Sequence, residues 1–111
     1  MSLPPESKKM MHHSDLVREL KKKPELILQA MTPLKADLDH MVMGVAGESG
    51  ELVDAVKKHT IYNKPLDLDN VIEEMGDLEF YLEGLRQILD LHREDILAYN
   101  IKKLTKRYQD G

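Results

Sequence analysis

The chain has 111 residues and a mass of 12.8 kDa, a length that allows one domain with a modest core. Apolar residues make up 41% of it, which excludes disorder throughout, and no apolar run reaches the roughly 20 residues of a membrane span. The absence of Cys excludes disulfides, thiolate metal sites and a cysteine nucleophile. We therefore expect a soluble, cytoplasmic protein with no membrane partner.

The net charge of −4 is distributed unevenly along the chain. Residues 1–23 carry a net charge of +3, residues 24–90 carry −9, and residues 91–111 carry +2. A nucleic-acid-binding protein more often presents a basic face across its folded part, so we expect no nucleic-acid partner. The acidic centre is either a solvated surface or a cation site.

The N-terminal part of the chain gives weak structural signals. Residues 1–13 show no periodicity and are predicted to form a flexible tail. Residues 14–31 are predicted to form a short helical extension, with Ser14 as the N-cap of a first helix. Pro24 is predicted to start a second short helix.

The rest of the chain, residues 32–111, is predicted to hold three longer helices. Thr32 is expected to cap the first, whose apolar residues recur at three- and four-residue steps to about Thr60. The second is expected to open at Asp67 or Asp69 and carries a nearly heptad apolar seam.

The last helix is predicted to follow His92 and to run to about Tyr108. Its inner face would be formed by Ile96, Leu97, Ile101 and Leu104. No segment shows the sustained alternation or the hairpin turns of strands, so the predicted fold class is all-α.

Acidic residues three positions apart lie about one turn apart on the same face of a helix. Only three such pairs occur in the chain, Glu48/Glu51, Glu51/Asp54 and Glu74/Asp77. If the two long helices pack antiparallel, carboxylates from both would converge on an oxygen-rich site for a hard cation, above all Mg2+. The alternative is a solvated acidic face.

Glycines inside the predicted helices favour the cation site over the solvated face. Each destabilises a helix interior by roughly 1 kcal/mol relative to Ala, which a plain solvated face would not require. A close approach of backbones, or a ligand against the helix, would explain them. The five glycines are Gly44, Gly47, Gly50, Gly76 and Gly84.

Basic and amide side chains supply the second half of a polyphosphate site. Lys57 follows the first acidic group, and Asn100, Lys103 and Arg107 share one face of the last helix. Lys and Arg would neutralise phosphate charge that a metal leaves exposed. The alternative is that these cations complement the negative C-terminal ends of their helices.

The sequence resembles the MazG-type all-α nucleoside triphosphate pyrophosphohydrolases. The segment from His40 to Lys58 resembles their first motif, and the segment from Glu73 to Leu82 resembles the second. The segment from Asn100 to Tyr108 resembles the C-terminal part of short, single-domain members. One departure is Gly47, which stands where many members have the first of two adjacent Glu residues.

The resemblance implies a helical bundle completed by oligomerisation, as a homodimer or homotetramer, with residues 32–111 as the catalytic domain. It implies cleavage of a nucleoside triphosphate between the α and β phosphates by a metal-activated water, giving monophosphate and pyrophosphate. It implies Mg2+, with Mn2+ as a substitute, held by Glu48, Glu51, Glu74 and Asp77. The triphosphate contacts it implies are Lys57, Asn100, Lys103 and Arg107.

Individual roles within this implied site stay open. Glu51 is our candidate for accepting the proton of the attacking water. His40 either assists at the site or is a partly buried packing residue, and Tyr81 either faces the base or packs. The alternative function is a non-catalytic helical module that senses nucleotide or metal.

Overall fold

The computed structural model describes residues 10–111 of the chain. No strand occurs within this range, and the all-α class predicted from the sequence is confirmed. No helix among the described residues combines the length and apolarity needed to cross a membrane. The predicted flexible tail falls mainly on residues 1–9, which lie outside the described part. The helices are α1 (His13–Leu20), α2 (Pro24–Ala30), α3 (Pro33–Thr60), α4 (Leu68–Ile88) and α5 (Arg93–Asp110).

The N-cap of α1 lies two positions before the predicted one. The helix begins at His13, so Ser14 lies in its first turn and is not the N-cap. His12 occupies the N-cap position without a side-chain hydrogen bond, and its carbonyl oxygen accepts from the Asp15 N–H at 3.1 Å. The backbone can thus close this turn without a capping side chain. The second helix starts at Pro24, as predicted.

The chain divides into two compact units, one ending at Met31 and the other spanning Thr32–Gly111. The second unit begins with the capping arrangement that the sequence predicts. The Thr32 hydroxyl accepts a hydrogen bond from the Lys35 N–H at 3.2 Å, and a proline follows at the first helical position. Its first helix, α3, ends at Thr60, also as predicted.

The end of α3 and the start of α4 are each defined by local backbone chemistry. Asn63 adopts a left-handed conformation with φ of 56°, and the Lys64 N–H donates to the Lys58 carbonyl at 3.1 Å. Of the two predicted starts of α4, Asp67 is correct, because its carboxylate accepts from the Asn70 N–H at 3.1 Å. The connection therefore reverses the chain within a few residues.

The helices α3 and α4 pack against each other as an antiparallel pair. Met41 lies against Gly84, and Gly44 lies against Tyr81, so residue numbers rise along one helix as they fall along the other. A Cβ atom built at Gly44 would overlap the Tyr81 ring, and one at Gly84 would overlap the Met41 sulfur. The predicted close approach is therefore present at these two glycines.

The interior of a single chain is small. Ala55, at 3% exposure, is the only residue classed as buried within residues 10–111. Within the described part, α5 has no packing comparable to the α3–α4 pair, and all its residues are exposed. The inner face predicted for α5 is therefore wrong for a single chain, because no helix covers it. The four exposed residues are Ile96, Leu97, Ile101 and Leu104.

Candidate metal centre

Three carboxylates meet where the middles of α3 and α4 face each other. Glu48 projects from α3, and Glu74 and Asp77 project from successive turns of α4. One carboxylate oxygen from each residue lies within 4.8 Å of the other two. The antiparallel pairing thus converts two local spacings into one three-carboxylate cluster.

The cluster is electrostatically unfavourable without a cation. Partial withdrawal from water raises the pKa of Glu74 above its ordinary value of 4.5. A hydrogen bond with Glu48 raises it further, as do the negative charges of Glu48, Asp77 and Glu51. The Glu74 carboxyl therefore holds its proton more tightly than a free glutamate, which is expected where like charges share a site.

The donor set fits a hard divalent cation. All three groups offer carboxylate oxygens, the ligands that Mg2+ prefers, and they come from two rigid helices. Neither His nor Cys belongs to this cluster, so the softer donors typical of zinc and copper sites are missing from it. A cation of charge +2 would also relieve the repulsion that raises the pKa of Glu74.

The fourth predicted ligand, Glu51, lies beside this cluster and outside it. Its carboxylate is near enough to raise the pKa of Glu74, yet it is not one of the three oxygen donors that converge. Its side chain is exposed. The structure therefore distinguishes a converging set of three acids, in which Asp77 is also exposed, from a neighbouring exposed acid.

A pocket of about 310 Å³ adjoins the carboxylate cluster. It is lined by the charged side chains of Glu48 and Asp77 and by the aromatic side chains of Phe80 and Tyr81. Tyr81 is half-buried against Gly44, as described above. The pocket thus joins charged oxygen atoms to aromatic carbon within one small volume.

Two aromatic contacts fix the Tyr81 ring. The Phe80 ring stands at 85° to it with 5.1 Å between centroids, and the His40 ring lies edge-on with 6.2 Å between centroids. Tyr81 therefore makes the packing contacts of one predicted role, and it also lines the pocket that the other role requires. The partial burial expected of His40 as a packing residue is wrong, because its side chain is exposed.

Sequence reasoning missed Phe80. The available signal was its position three residues after Asp77, which places both on neighbouring parts of one helix face. It is also the only Phe in the chain.

The predicted phosphate-binding residues are not brought to the cluster within one chain. The Lys57 ammonium lies 5.7 Å from the centre of the Tyr62 ring, near the C-terminal end of α3. Asn100, Lys103 and Arg107 are exposed on α5, and their side chains form no hydrogen bond or ion pair with other residues in the range 10–111. These three side chains are therefore open to a ligand or another subunit, whereas Lys57 already contacts an aromatic ring.

Three of the five helix glycines have no packing reason within one chain. A Cβ atom at Gly47, Gly50 or Gly76 would meet no atom within 4 Å among the described residues. Gly47 directly precedes Glu48, and Gly76 directly precedes Asp77. The helix surface beside the carboxylates therefore exposes backbone that no side chain covers.

Comparison with known proteins gives a consistent result over the same region. The family model described as the MazG nucleotide pyrophosphohydrolase domain matches residues 37–111. The chain is 30% identical over 78 residues to the Gene 37 protein of Mycobacterium phage L5, covering 67% of this chain and 68% of that protein. No solved structure matches the chain significantly.

Proposed function

The chain belongs to the MazG nucleotide pyrophosphohydrolase domain family, and from this we propose that it hydrolyses nucleoside triphosphates between the α and β phosphates. The products are a nucleoside monophosphate and pyrophosphate, and both ribo- and deoxyribonucleotides are candidate substrates. We place this activity in residues 32–111, with residues 14–31 as a helical extension. The observation that carries the proposal is the convergence of Glu48, Glu74 and Asp77.

The three converging carboxylates would hold Mg2+, for which Mn2+ could substitute. Such an ion supplies charge neutralisation at the phosphates and a more acidic water. The three residues would hold the ion between α3 and α4, so its position would depend on the pairing of these two helices. Phosphates bound to such an ion would lie beside the pocket that Phe80 and Tyr81 line.

The Glu51 carboxylate is the proposed proton acceptor, because it lies beside the cluster and stays open to water. The oxygen of a water molecule forms a bond to the α or the β phosphorus, and the bond from that phosphorus to the bridging oxygen breaks. The electron pair of the broken bond leaves with the bridging oxygen, on pyrophosphate after attack at the α phosphorus or on the nucleoside monophosphate after attack at the β phosphorus. The proton lost by the attacking water passes to the Glu51 carboxylate.

A homodimer or homotetramer is part of the proposal. Only Ala55 is buried among residues 10–111, and the apolar residues of α5 are exposed. A domain of this size needs a larger interior than one chain provides. A second copy would cover these faces and could bring Asn100, Lys103 and Arg107 to a neighbouring cluster, as phosphate contacts together with Lys57.

The activity is tested by measuring pyrophosphate release from a panel of ribo- and deoxyribonucleoside triphosphates with Mg2+, with a chelator as the control. We expect metal-dependent release with the monophosphate as co-product. Glu48→Gln and Asp77→Asn should abolish it, whereas Glu73→Gln, an exposed acid outside the cluster, should retain it.

The alternative function gives a different result in the same assay. A folded, Mg2+-binding protein that releases no pyrophosphate from any triphosphate would refute the proposed activity. It would favour a non-catalytic module that senses nucleotide or metal. Light scattering of the same samples gives the molecular mass, and a monomer at working concentration would refute the proposed assembly.

A further inference from the structure

Phe80 is an exposed aromatic side chain at the mouth of the pocket beside the carboxylates. Its side chain is 66% exposed, yet it lines the same 310 Å³ pocket as Glu48 and Asp77. An apolar ring in water is unremarkable alone, but here it stands next to a cluster that favours a cation. The pocket is therefore lined by both charged and aromatic side chains.

The ring is held in place by contacts on its inner side. Tyr81 lies against Gly44, where no side chain could be accommodated, and is contacted edge-on by His40. Phe80 meets Tyr81 at 85°, a favourable edge-to-face geometry. One edge of Phe80 is thus supported by packed groups, while its exposed surface borders the pocket.

A ligand that fits this pocket must carry charged oxygens at one end and a flat apolar surface at the other. A nucleotide has both, because its phosphates seek the cation and its base has a π-face. We propose that Phe80 is the surface on which the base of the substrate stacks, with Tyr81 as its support. This inference rests on the proposed function and adds the residue that binds the base.

Stacking has a consequence for the substrate class. Every base has a π-face, so a stacking surface binds different bases without reading their hydrogen-bonding edges. Glu48 and Asp77, the charged side chains that line the pocket, belong to the carboxylate cluster, and the other two lining residues are aromatic. The Phe80 contact should therefore strengthen binding of nucleotides with different bases and leave inorganic triphosphate unaffected.

Fluorescence tests this contact without requiring turnover. The chain contains no Trp, so Phe80→Trp introduces a single reporter in the pocket. With Mg2+, the α,β-methylene analogue of ATP should quench its fluorescence in a saturable manner, and inorganic triphosphate should not. Ile72→Trp, at another exposed position of α4 outside this pocket, is the matched control and should show no quenching.

Kinetics provide the second measurement. Phe80→Leu should raise KM for each nucleoside triphosphate by about tenfold, since loss of one stacked base is a moderate perturbation. Its molecular mass by light scattering should be unchanged, and Phe80→Tyr should restore KM because it keeps the ring.

The outcomes separate this inference from the proposed function. Hydrolysis by the natural chain together with an unchanged KM in Phe80→Leu, or equal quenching by inorganic triphosphate, would overturn the stacking role alone. A changed molecular mass in Phe80→Leu would also overturn it, since Phe80 would then be part of a subunit contact. No hydrolysis by the natural chain would overturn the proposed function, while the fluorescence titration still decides whether Phe80 meets a base.

Discussion

The glycines of α3 allow a quantitative test of the helix pairing. Replacing Gly by Ala in a helix interior stabilises the helix by about 1 kcal/mol when the new methyl group meets nothing. Gly50 satisfies this condition, because no atom lies within 4 Å of a Cβ built there. Gly44→Ala would place its methyl group inside the Tyr81 ring. The two substitutions therefore gain the same helix propensity but differ in the space available for the methyl group.

The magnitudes follow from these two environments. Gly50→Ala should stabilise the protein by about 1 kcal/mol, which corresponds to a Tm increase of about 4–8 °C for a domain of this size. Gly44→Ala gains the same propensity but loses about 1–3 kcal/mol through overpacking, so its net effect is a destabilisation of about 1 kcal/mol. Gly84→Ala should fall between them, because it displaces only the flexible end of Met41.

Thermal unfolding followed by circular dichroism, at one protein concentration and with chelator present, gives the order of the three variants. The expected order of Tm is Gly50→Ala, then Gly84→Ala, then Gly44→Ala. A Gly44→Ala protein as stable as Gly50→Ala would refute the close contact with Tyr81. A Gly50→Ala protein less stable than the natural chain would instead show that a second copy covers that face.

Three further perturbations address the cluster and a helix start. Glu74→Gln should raise Tm of the metal-free protein at about pH 7 and lose this gain near about pH 4. The reason is that a carboxyl with a raised pKa in the native state stabilises the fold only while it is protonated. A Tm gain that grows on acidification in a pH series would contradict this. Thr32→Ala removes the hydrogen bond to the Lys35 N–H and should lower the free energy of unfolding by about 1 kcal/mol in urea, whereas an unchanged midpoint would contradict the cap. Mg2+ should raise Tm of the natural chain by binding the native state, and Glu48→Gln should remove most of that increase in the same melting assay.

The parts of the fold that the sequence predicts are those decided locally. Thr32 with its following proline, and the break after Thr60, define α3 because capping and chain reversal depend on adjacent residues. Ser14 fails as a cap because the turn closes through the His12 carbonyl instead. Local signals therefore define the start of α3, whereas at α1 they locate the helix but not its first residue.

The candidate site also has features that one helix decides and features that depend on two. The spacing of Glu74 and Asp77 is a property of one helix, so it is visible in the sequence. The convergence with Glu48 and the seating of Tyr81 on Gly44 depend on the register between two helices, which no local pattern specifies. For the same reason the periodicity of α5 indicates that one of its faces needs a cover but does not say what covers it.

The placement of like charges at the middle of a helix pair has a consequence for the lifetime of the protein. When ionised, Glu48 on α3 repels Glu74 and Asp77 on α4, across the two helices whose contact holds the second unit together. An ion bound there joins the helices at the point where they repel, so occupancy adds directly to native stability. If the chain binds the proposed ion, chains deprived of it would open more often and would be cleaved sooner by proteases that attack open states. The proposed metal ligands would then make the supply of the ion a determinant of how much protein persists.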